Sequence, residues 1–377
     1  MFDYEVLRLI WWGLLGVLLI GFAIMDGFDL GVGMLFPFLG RNDNERRAFL
    51  ETIEPVWDGN QVWFILGGGA VFAAWPPLYA VSFSGFYVAM FLVLAALILR
   101  PVGFVFRNKL PDARWRRTWD WALFVAGAVP TLVFGVAFGN LFLGVPFHFD
   151  ESMRSFYTGG FFGLLTPFAL LCGAVSLSMI CLHGASYAAL KTGEPMAGRA
   201  AGAARIAAPV FIGLFALAGF WLWAGVDGYV ITGGADPAGA SNPLLKSVVR
   251  APGAWLENYG RAPVTVLFPL LAIAAAAVSA LSVGRRAGVA FVASALTIAM
   301  TILTAGASLF PFLLPSSTVP TSSLTVWDAS SSRTTLGIML VAAVIFVPIV
   351  LAYTTWVFRV MRGAVTLEHV AHGGDNY

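Results

Sequence analysis

The stretch Glu54-Pro55-Val56-Trp57-Asp58-Gly59-Asn60-Gln61-Val62-Trp63 opens an apolar segment that continues to about Trp75. Acidic, amide and indole side chains stand here, where a helix surrounded by lipid would carry aliphatic residues. Polar groups at membrane depth are costly, so they usually face a partner or a water-filled cavity. The stretch therefore predicts a membrane helix that carries a functional polar group.

The rest of the chain has the composition of an integral membrane protein. Hydrophobic residues make up 59% of the 377 residues, charged residues make up 11%, and the mean hydropathy is +0.83. Such values lie far from those of a soluble globular domain. The net charge of +2 is too small to favour nucleic acid as a partner. We therefore expect an all-α polytopic protein whose surroundings are membrane lipid.

Nine segments reach the length of about 20 apolar residues that crossing the hydrocarbon requires. They are Leu9–Leu39, Val56–Trp75, Leu78–Leu99, Trp121–Leu141, Phe161–Leu190, Ile206–Val226, Val264–Val283, Val289–Phe312 and Thr335–Phe358. The connections after the odd-numbered segments contain most of the 22 Lys and Arg residues. By the positive-inside rule these connections are cytoplasmic, which predicts an outer N-terminus and a cytoplasmic C-terminus.

Two acids in the first segment, Asp26 and Asp29, are three residues apart and therefore share one face of a helix. Neighbouring acids in a low dielectric cannot both ionise comfortably, so we expect this pair to exchange protons. Gly27, Gly31 and Gly33 would let another helix approach that region closely. The alternative is structural, with the two acids organising the interior or reaching the lipid headgroups.

Asp58 is predicted to lie near the inner end of the second segment. Asn60 and Gln61 offer amides beside it, Trp57 offers an indole, and Arg100 at the inner end of the third segment is the closest obvious cation. Each also has a simpler interpretation: the acid could reach the headgroups, the indole could anchor the interface, and the arginine could set topology.

Histidine is scarce, and only His183 falls inside a predicted span; His148 lies in an outer loop, and His369 and His372 lie in the tail. A haem-copper centre needs several inward-facing histidines, and a bis-histidine haem needs two. The chain is therefore expected to hold no redox cofactor through its own ligands and no metal.

Several different short motifs are spread along the chain, from the first residues to the last span. They include Gly27-Phe28-Asp29-Leu30-Gly31-Val32-Gly33, Trp57-Asp58-Gly59-Asn60-Gln61-Val62-Trp63, Arg100-Pro101-Val102-Gly103-Phe104 and Leu324-Thr325-Val326-Trp327-Asp328-Ala329. In these motifs the chain resembles subunit 2 of the cytochrome bd ubiquinol oxidase family.

The resemblance implies an enzyme that oxidises ubiquinol or menaquinol, reduces dioxygen to water and takes protons from the cytoplasm, generating a proton gradient without pumping. Haems b and d belong to subunit 1, and this chain is the haem-free partner in a bacterial cytoplasmic membrane. A small single-helix subunit often completes the complex. The implied fold has two four-helix bundles and one peripheral helix, so the single membrane domain 1–377 divides into 1–143, 144–313 and 314–377.

The resemblance also implies roles for the polar residues. Asp58 is carried over as the acid of a cytoplasmic proton path along the subunit interface. The supporting polar cluster consists of Asp26, Asp29, Arg100, Asn60, Gln61 and Trp57. Some members hold a structural ubiquinone in this subunit, at a site that the sequence does not place. A proton-coupled secondary transporter is the alternative function, because intramembrane acids and interrupted helices also suit transport.

Overall fold

The computed structural model describes residues 2–367, which are mostly helical. The helices of this part are α1 (Tyr4–Leu39), α2 (Asp43–Glu51), α3 (Trp57–Ala74), α4 (Pro76–Gly85), α5 (Tyr87–Phe106), α6 (Ala113–Leu143), α7 (Pro167–Lys191), α8 (Met196–Gly225), α9 (Glu257–Arg261), α10 (Leu267–Ser282), α11 (Ala287–Leu309) and α12 (Arg333–Val360). Among the described residues, eight helices are long and apolar enough to cross a membrane: α1, α5, α6, α7, α8, α10 with the turn before it, α11 and α12. The chain is therefore a multi-pass membrane protein.

The second predicted segment forms α3, an 18-residue helix that is not among the eight because its polar first turn lowers its hydropathy. The third predicted segment, Leu78–Leu99, was placed wrongly, because the chain leaves helical geometry at Phe86 and divides it between α4 and α5. Gly85 precedes the break, and a Cβ there would lie 2.6 Å from the Tyr157 ring. The count of nine spans stays a prediction.

Two other helices begin at residues that the hydropathy pattern misplaced. α7 begins at Pro167, where Thr166 caps the helix and proline suits the first turn, and not at Phe161. α8 begins at Met196, ten residues before the predicted Ile206, because an Ala-rich run extends it beyond the apolar stretch.

Three short antiparallel hairpins lie in the connections predicted to be outer, so the expectation of an all-α chain needs correcting. They pair β1 (Phe147–Phe149) with β2 (Ser155–Tyr157), β3 (Asp227–Gly233) with β4 (Ser247–Pro252), and β5 (Phe312–Leu314) with β6 (Leu324–Thr325). Branched and aromatic residues favour these strands. We call this end of the molecule the hairpin end, and the opposite end, which carries α2, the basic end.

α1 runs through the centre of the molecule and contacts α3, α6, α7, α11 and α12. The expected close approach occurs at Gly31, where a Cβ would lie 2.7 Å from the Gly184 Cα of α7. α6 meets α7 in the same way, since a Cβ at Gly135 would lie 2.7 Å from the Gly173 Cα. Small residues thus let the three helices α1, α6 and α7 pack backbone to backbone.

Candidate functional site

Asp26 and Asp29 on α1 are both buried, with 0% and 1% of their surfaces exposed. Arg100 of α5 donates from Nη1 to Asp26 Oδ1 at 2.6 Å, and Asn60 of α3 donates from Nδ2 to Asp29 Oδ2 at 2.8 Å. Three helices therefore converge on one buried group, which we call the acid cluster: Asp26, Asp29, Asn60 and Arg100.

The acid cluster has unused hydrogen-bonding capacity. Asp26 Oδ2, Asp29 Oδ1 and the Nε and Nη2 atoms of Arg100 are buried and have no partner in the structure. Buried polar atoms are nearly always satisfied, and ordered water supplies the missing partners where protein does not. Within residues 2–367, three members of the cluster thus keep buried donor and acceptor atoms that no other residue uses.

Trp57 forms one wall of this site. The Arg100 Cζ lies 5.5 Å from the centre of the Trp57 ring, close enough for a cation–π contact. Trp57 also packs against Phe104, one turn beyond Arg100 on α5, with 5.9 Å between ring centres. The indole therefore contributes to the site itself, in addition to any role at the membrane interface.

Asp58 lies apart from the acid cluster. It is exposed on this chain, and no hydrogen bond or ion pair to it is seen among the described residues. Successive helical residues are about 100° apart, so when Asn60 faces Asp29, Asp58 must point to the other side of α3. Gln61 is half-buried. The structure thus brings together Asp26, Asp29, Asn60 and Arg100 and leaves Asp58 on the surface.

An ionic network at the basic end was missed at the sequence level. Asp120 of α6 accepts from Arg107 Nε at 2.6 Å and from Arg46 Nη1 at 2.8 Å. Asp43 accepts at 2.8 Å from both Arg107 and Arg116. The network ties α2 to the end of α5 and the start of α6. The available signal was an aspartate inside an otherwise basic connection.

Two glutamates near the network experience different surroundings. Burial raises the pKa of the Glu45 carboxyl, but the Arg41 amide and the Arg199 guanidinium outweigh it and hold that pKa below its ordinary value. Burial, and then the Glu51 carboxylate, raise the pKa of Glu54, which Arg47 only partly offsets. Glu54 therefore gives up its proton less readily than an ordinary glutamate.

A second set of buried charges stands at the hairpin end. Arg8 is fully buried and donates to Ser330 Oγ at 2.8 Å, Gly239 O at 3.0 Å and Ser241 Oγ at 2.9 Å, and its guanidinium lies 3.7 Å from the Tyr4 ring centre. These contacts fasten two loops to the first helix.

Lys246 and Asp328 form a buried ion pair of 2.9 Å beside Arg8. The ammonium also donates to the Pro243 and Ser323 carbonyls, and Thr325 donates twice to the carboxylate. Burial lowers the pKa of Lys246, and Asp328 opposes this shift. We call Arg8, Lys246 and Asp328 the loop clamp.

The described residues do not offer a haem ligand set. His183 is buried, and its Nε2 lies 2.9 Å from the Ile24 carbonyl while its Nδ1 lies 2.8 Å from Ser294 Oγ, so both ring nitrogens are engaged. His148 lies in the β1 strand, and His369 and His372 fall outside the described residues. Within residues 2–367, no cluster of His, Cys, Asp and Glu could hold a metal ion.

Comparison with known proteins identifies the family of the chain. The family model described as cytochrome bd terminal oxidase subunit II matches residues 7–361. The chain is 54% identical over 371 residues to cytochrome bd-I ubiquinol oxidase subunit 2 of Escherichia coli strain K12, covering 98% of both chains.

The chain belongs to the cytochrome bd terminal oxidase subunit II family.

A more distant relative of this subunit II is cytochrome bd ubiquinol oxidase subunit 2 of Bacillus subtilis strain 168, which is 32% identical over 359 residues, or 95% of this chain and 96% of the relative. The fold is similar to that of a chain in the solved bd oxidase from Geobacillus thermodenitrificans, with a TM-score of 0.63 at 14% identity, over 94% of this chain and 98% of that one.

Membership defines the setting of the subunit. It is part of a respiratory terminal oxidase, an oxidoreductase complex, and it is a multi-pass protein of the bacterial inner membrane. A second subunit implies a subunit 1 as partner, and the cytochrome bd family implies haems in that partner. The predicted family and location are thereby confirmed.

Proposed function

We propose that this chain is the haem-free subunit of a quinol:dioxygen oxidoreductase. The complex oxidises quinol, reduces oxygen to water, and takes the protons from the cytoplasm, so that it generates a proton gradient without pumping. Ubiquinol is the proposed donor, because the Escherichia coli and Bacillus subtilis relatives are named ubiquinol oxidases. Family membership favours this function over proton-coupled transport.

The observation that carries a proton-path role is the position of Asp58. The acid lies on a face of α3 that also exposes Val62, Ile65 and Leu66, with 67% of Ile65 exposed. A carboxylate on a lipid-facing helix would be costly, so this face is better covered by a partner than by lipid. Asp58 therefore belongs to the proposed interface with subunit 1.

The basic end, where Asp58 lies, is the proposed cytoplasmic side. It carries Arg46, Arg107 and Arg116 in the ionic network, which accords with the positive-inside rule. Protons would enter at Asp58 along the interface, and the acid cluster on the inner face of α3 would organise the interior or hold exchanging protons behind it.

The test replaces Asp58 by Asn in the assembled oxidase. We expect oxygen consumption to fall by about tenfold, below the roughly 10²–10⁴-fold that a positioned proton-transfer group contributes, because water partly replaces the relay. Haem content and subunit stoichiometry should stay normal. Asp58→Glu, which keeps the carboxyl, should retain most turnover.

Glu5→Gln is the matched control, because Glu5 is also an exposed acid but lies at the hairpin end. It should leave oxygen consumption unchanged. Unchanged turnover in the assembled Asp58→Asn complex would remove Asp58 from the proton path.

In the proposed division into two four-helix bundles and one peripheral helix, each bundle consists of helices that contact one another, and α1 and α6 of the first also contact α7 of the second. In 1–143, α1 contacts α3 and α6, and α5 contacts α6; in 144–313, α7 contacts α8 and α11, and α10 contacts the same two helices. α3, at about 27 Å for 18 residues, comes close to the thickness of the hydrocarbon and is the proposed ninth span.

The peripheral helix of 314–377, α12, offers a second surface to subunit 1. Only 6% of its most apolar 18-residue stretch is buried. The helix is held mainly at its two ends. Trp11 Nε1 donates to the Leu336 carbonyl at 3.0 Å, and Lys191 donates to the Met361 carbonyl at 2.7 Å. Its middle exposes aliphatic and aromatic residues on several sides, which suits a partner helix, including that of a small single-helix subunit.

A cavity of about 520 Å³ between the helices is the proposed site of a structural ubiquinone. Phe22, Phe64, Phe134 and Phe138 line it, and its few polar groups include Tyr259. The volume falls in the range of roughly 300–1,000 Å³ typical of small-molecule sites, and the aromatic lining suits an isoprenoid chain.

Filling the cavity tests this assignment. Gly219 lines it and has nothing within 4 Å of a Cβ, so Gly219→Trp should displace the quinone from the purified complex. Gly213→Trp is the control, because Gly213 is equally open but does not line the cavity. Solvent extraction and chromatography would count quinone per complex, and equal counts in both variants would place the quinone elsewhere.

A further inference from the structure

Three further arginines lie at the basic end, outside the acid cluster and the ionic network. Arg205 belongs to α8, and Arg285 and Arg286 belong to the turn 283–286 between α10 and α11. The Arg205 guanidinium lies directly over Gly284, where an added Cβ would stand 3.3 Å from the Arg205 Cζ. Helix α8 therefore brings its arginine against the turn that carries the other two, and we call these three residues the arginine notch.

Within residues 2–367, the arginine notch lacks the acids that neutralise several other arginines of the basic end. Arg46, Arg107 and Arg116 each pair with an aspartate at 2.6–2.8 Å. By contrast, no ion pair or side-chain hydrogen bond of Arg205, Arg285 or Arg286 is found within residues 2–367, and all three are exposed. Positive-inside topology needs positive charge in a connection, but it does not need the charges of two connections to converge.

Exposed apolar side chains flank the arginine notch on one side. Ile206, the next residue on α8, is 69% exposed, and Leu281, one turn before Gly284, is 80% exposed. α8 continues for nine residues on the other side of Arg205, or roughly 13 Å, and so projects past the α10–α11 turn. Exposed apolar residues therefore lie on one side of the arginines, and the N-terminal part of α8 lies on the other.

We propose that the arginine notch binds the phosphate of an anionic glycerophospholipid, with the acyl chains lying along Ile206 and Leu281. A guanidinium fork matches two phosphate oxygens, and its N–H groups here have no protein acceptors. Basic pockets between membrane helices at the cytoplasmic side are suited to anionic headgroups. Charge complementarity and the adjacent lipid-facing surface select lipid as the occupant.

The experiment uses the complete, delipidated oxidase titrated with phosphatidylglycerol or phosphatidylethanolamine, with bound lipids counted by native mass spectrometry. Each arginine should contribute roughly fivefold to phosphatidylglycerol affinity, since a basic residue near an anionic surface contributes about 1 kcal/mol. R205Q/R285Q/R286Q should therefore lose one tightly bound phosphatidylglycerol, with about a hundredfold weaker binding. Raising the salt concentration should weaken wild-type binding toward that of the variant.

Two control variants separate lipid binding at the notch from an effect on membrane insertion and from diffuse surface charge. R205K/R285K/R286K keeps the charge that sets topology but loses the bidentate fork, so it should insert normally and bind phosphatidylglycerol at an intermediate strength. R114Q/R117Q/R359Q removes three other exposed charges from the same end and should bind phosphatidylglycerol like the wild type.

The proposal fails if this control loses as much phosphatidylglycerol as the notch variant, because binding would then reflect diffuse surface charge. It also fails if phosphatidylethanolamine binds the wild type equally well. A thermal stabilisation by inorganic phosphate alone that matches that of phosphatidylglycerol would assign the notch to a free anion.

Discussion

The acid cluster and the loop clamp both bury charged side chains, but they differ in how completely those charges are satisfied. In the loop clamp, the polar side-chain atoms of Arg8, Lys246 and Asp328 all have protein partners. In the acid cluster, Asp26, Asp29 and Arg100 together leave four buried polar atoms without one.

This difference separates a fully paired set of buried charges from a partly paired one. A fully satisfied set of buried charges fixes geometry, because any movement leaves a charge unpaired in a low dielectric. A set with unused donors and acceptors can take up water and pass protons without breaking its own contacts. The same residue types are therefore fully paired in the loop clamp and only partly paired in the acid cluster.

The largest effect is expected from Arg100→Leu. This variant leaves Asp26 buried and uncompensated, which costs about 3–5 kcal/mol when a buried pair loses one member. We expect loss of the chain from membranes and loss of the haem absorbance of the purified complex. The double variant Asp26→Asn/Arg100→Gln removes both charges and should recover part of the assembly. An Arg100→Leu complex as abundant as wild type would show that the cluster does not need its cation.

A smaller effect is expected from Lys246→Met, at the lower end of the same range of about 3–5 kcal/mol, because Asp328 keeps its two Thr325 hydrogen bonds. Thermal melting of the assembled complex should fall, while turnover per intact complex should stay normal. Lys246→Met/Asp328→Leu should restore part of the melting temperature. Slower turnover at full stability would contradict the view of the loop clamp as a fastening.

The smallest effect is expected from Glu54→Gln at the basic end. Because burial and Glu51 raise the pKa of Glu54, the folded state loses stability as the pH rises from the unfolded pKa through the folded one. The glutamine variant escapes this loss, so it should be more stable at pH 7, by about half a kcal/mol for this partly exposed group. The two melting temperatures should converge near pH 4. A constant difference across this pH range would rule out titration as its cause.

The sequence predicted which residues make up the acid cluster better than it predicted which of them contact one another. Asp26 and Asp29 lie deep in an apolar segment, so their burial follows from hydropathy. Which amide of α3 turns towards them depends on how that helix is rotated against α1, and residues two apart face opposite sides. Asn60 therefore entered the cluster, and Asp58 stayed on the surface.

Charges in connections were the hardest to predict. Arg107 counted only as a topology-setting residue, yet it is fully buried because Asp120 returns to it across the turn before α6. Lys246 lies in a loop without helical or strand periodicity, and only the folded outer loops bring Asp328 within 2.9 Å of it. Such pairs arise from contacts between distant segments, which local sequence patterns do not contain.

The end-to-end attachment of α12 has a consequence for biosynthesis. This helix leaves the ribosome after α1 and α7, when Trp11 and Lys191 have already been synthesised. The Trp11 and Lys191 side chains donate hydrogen bonds to the main-chain carbonyls of Leu336 and Met361, near the start and the end of α12. They therefore hold the backbone of α12 at both ends without depending on its side chains. α12 can thus be held by its backbone as it emerges, while its long apolar surface is still free to bind another chain.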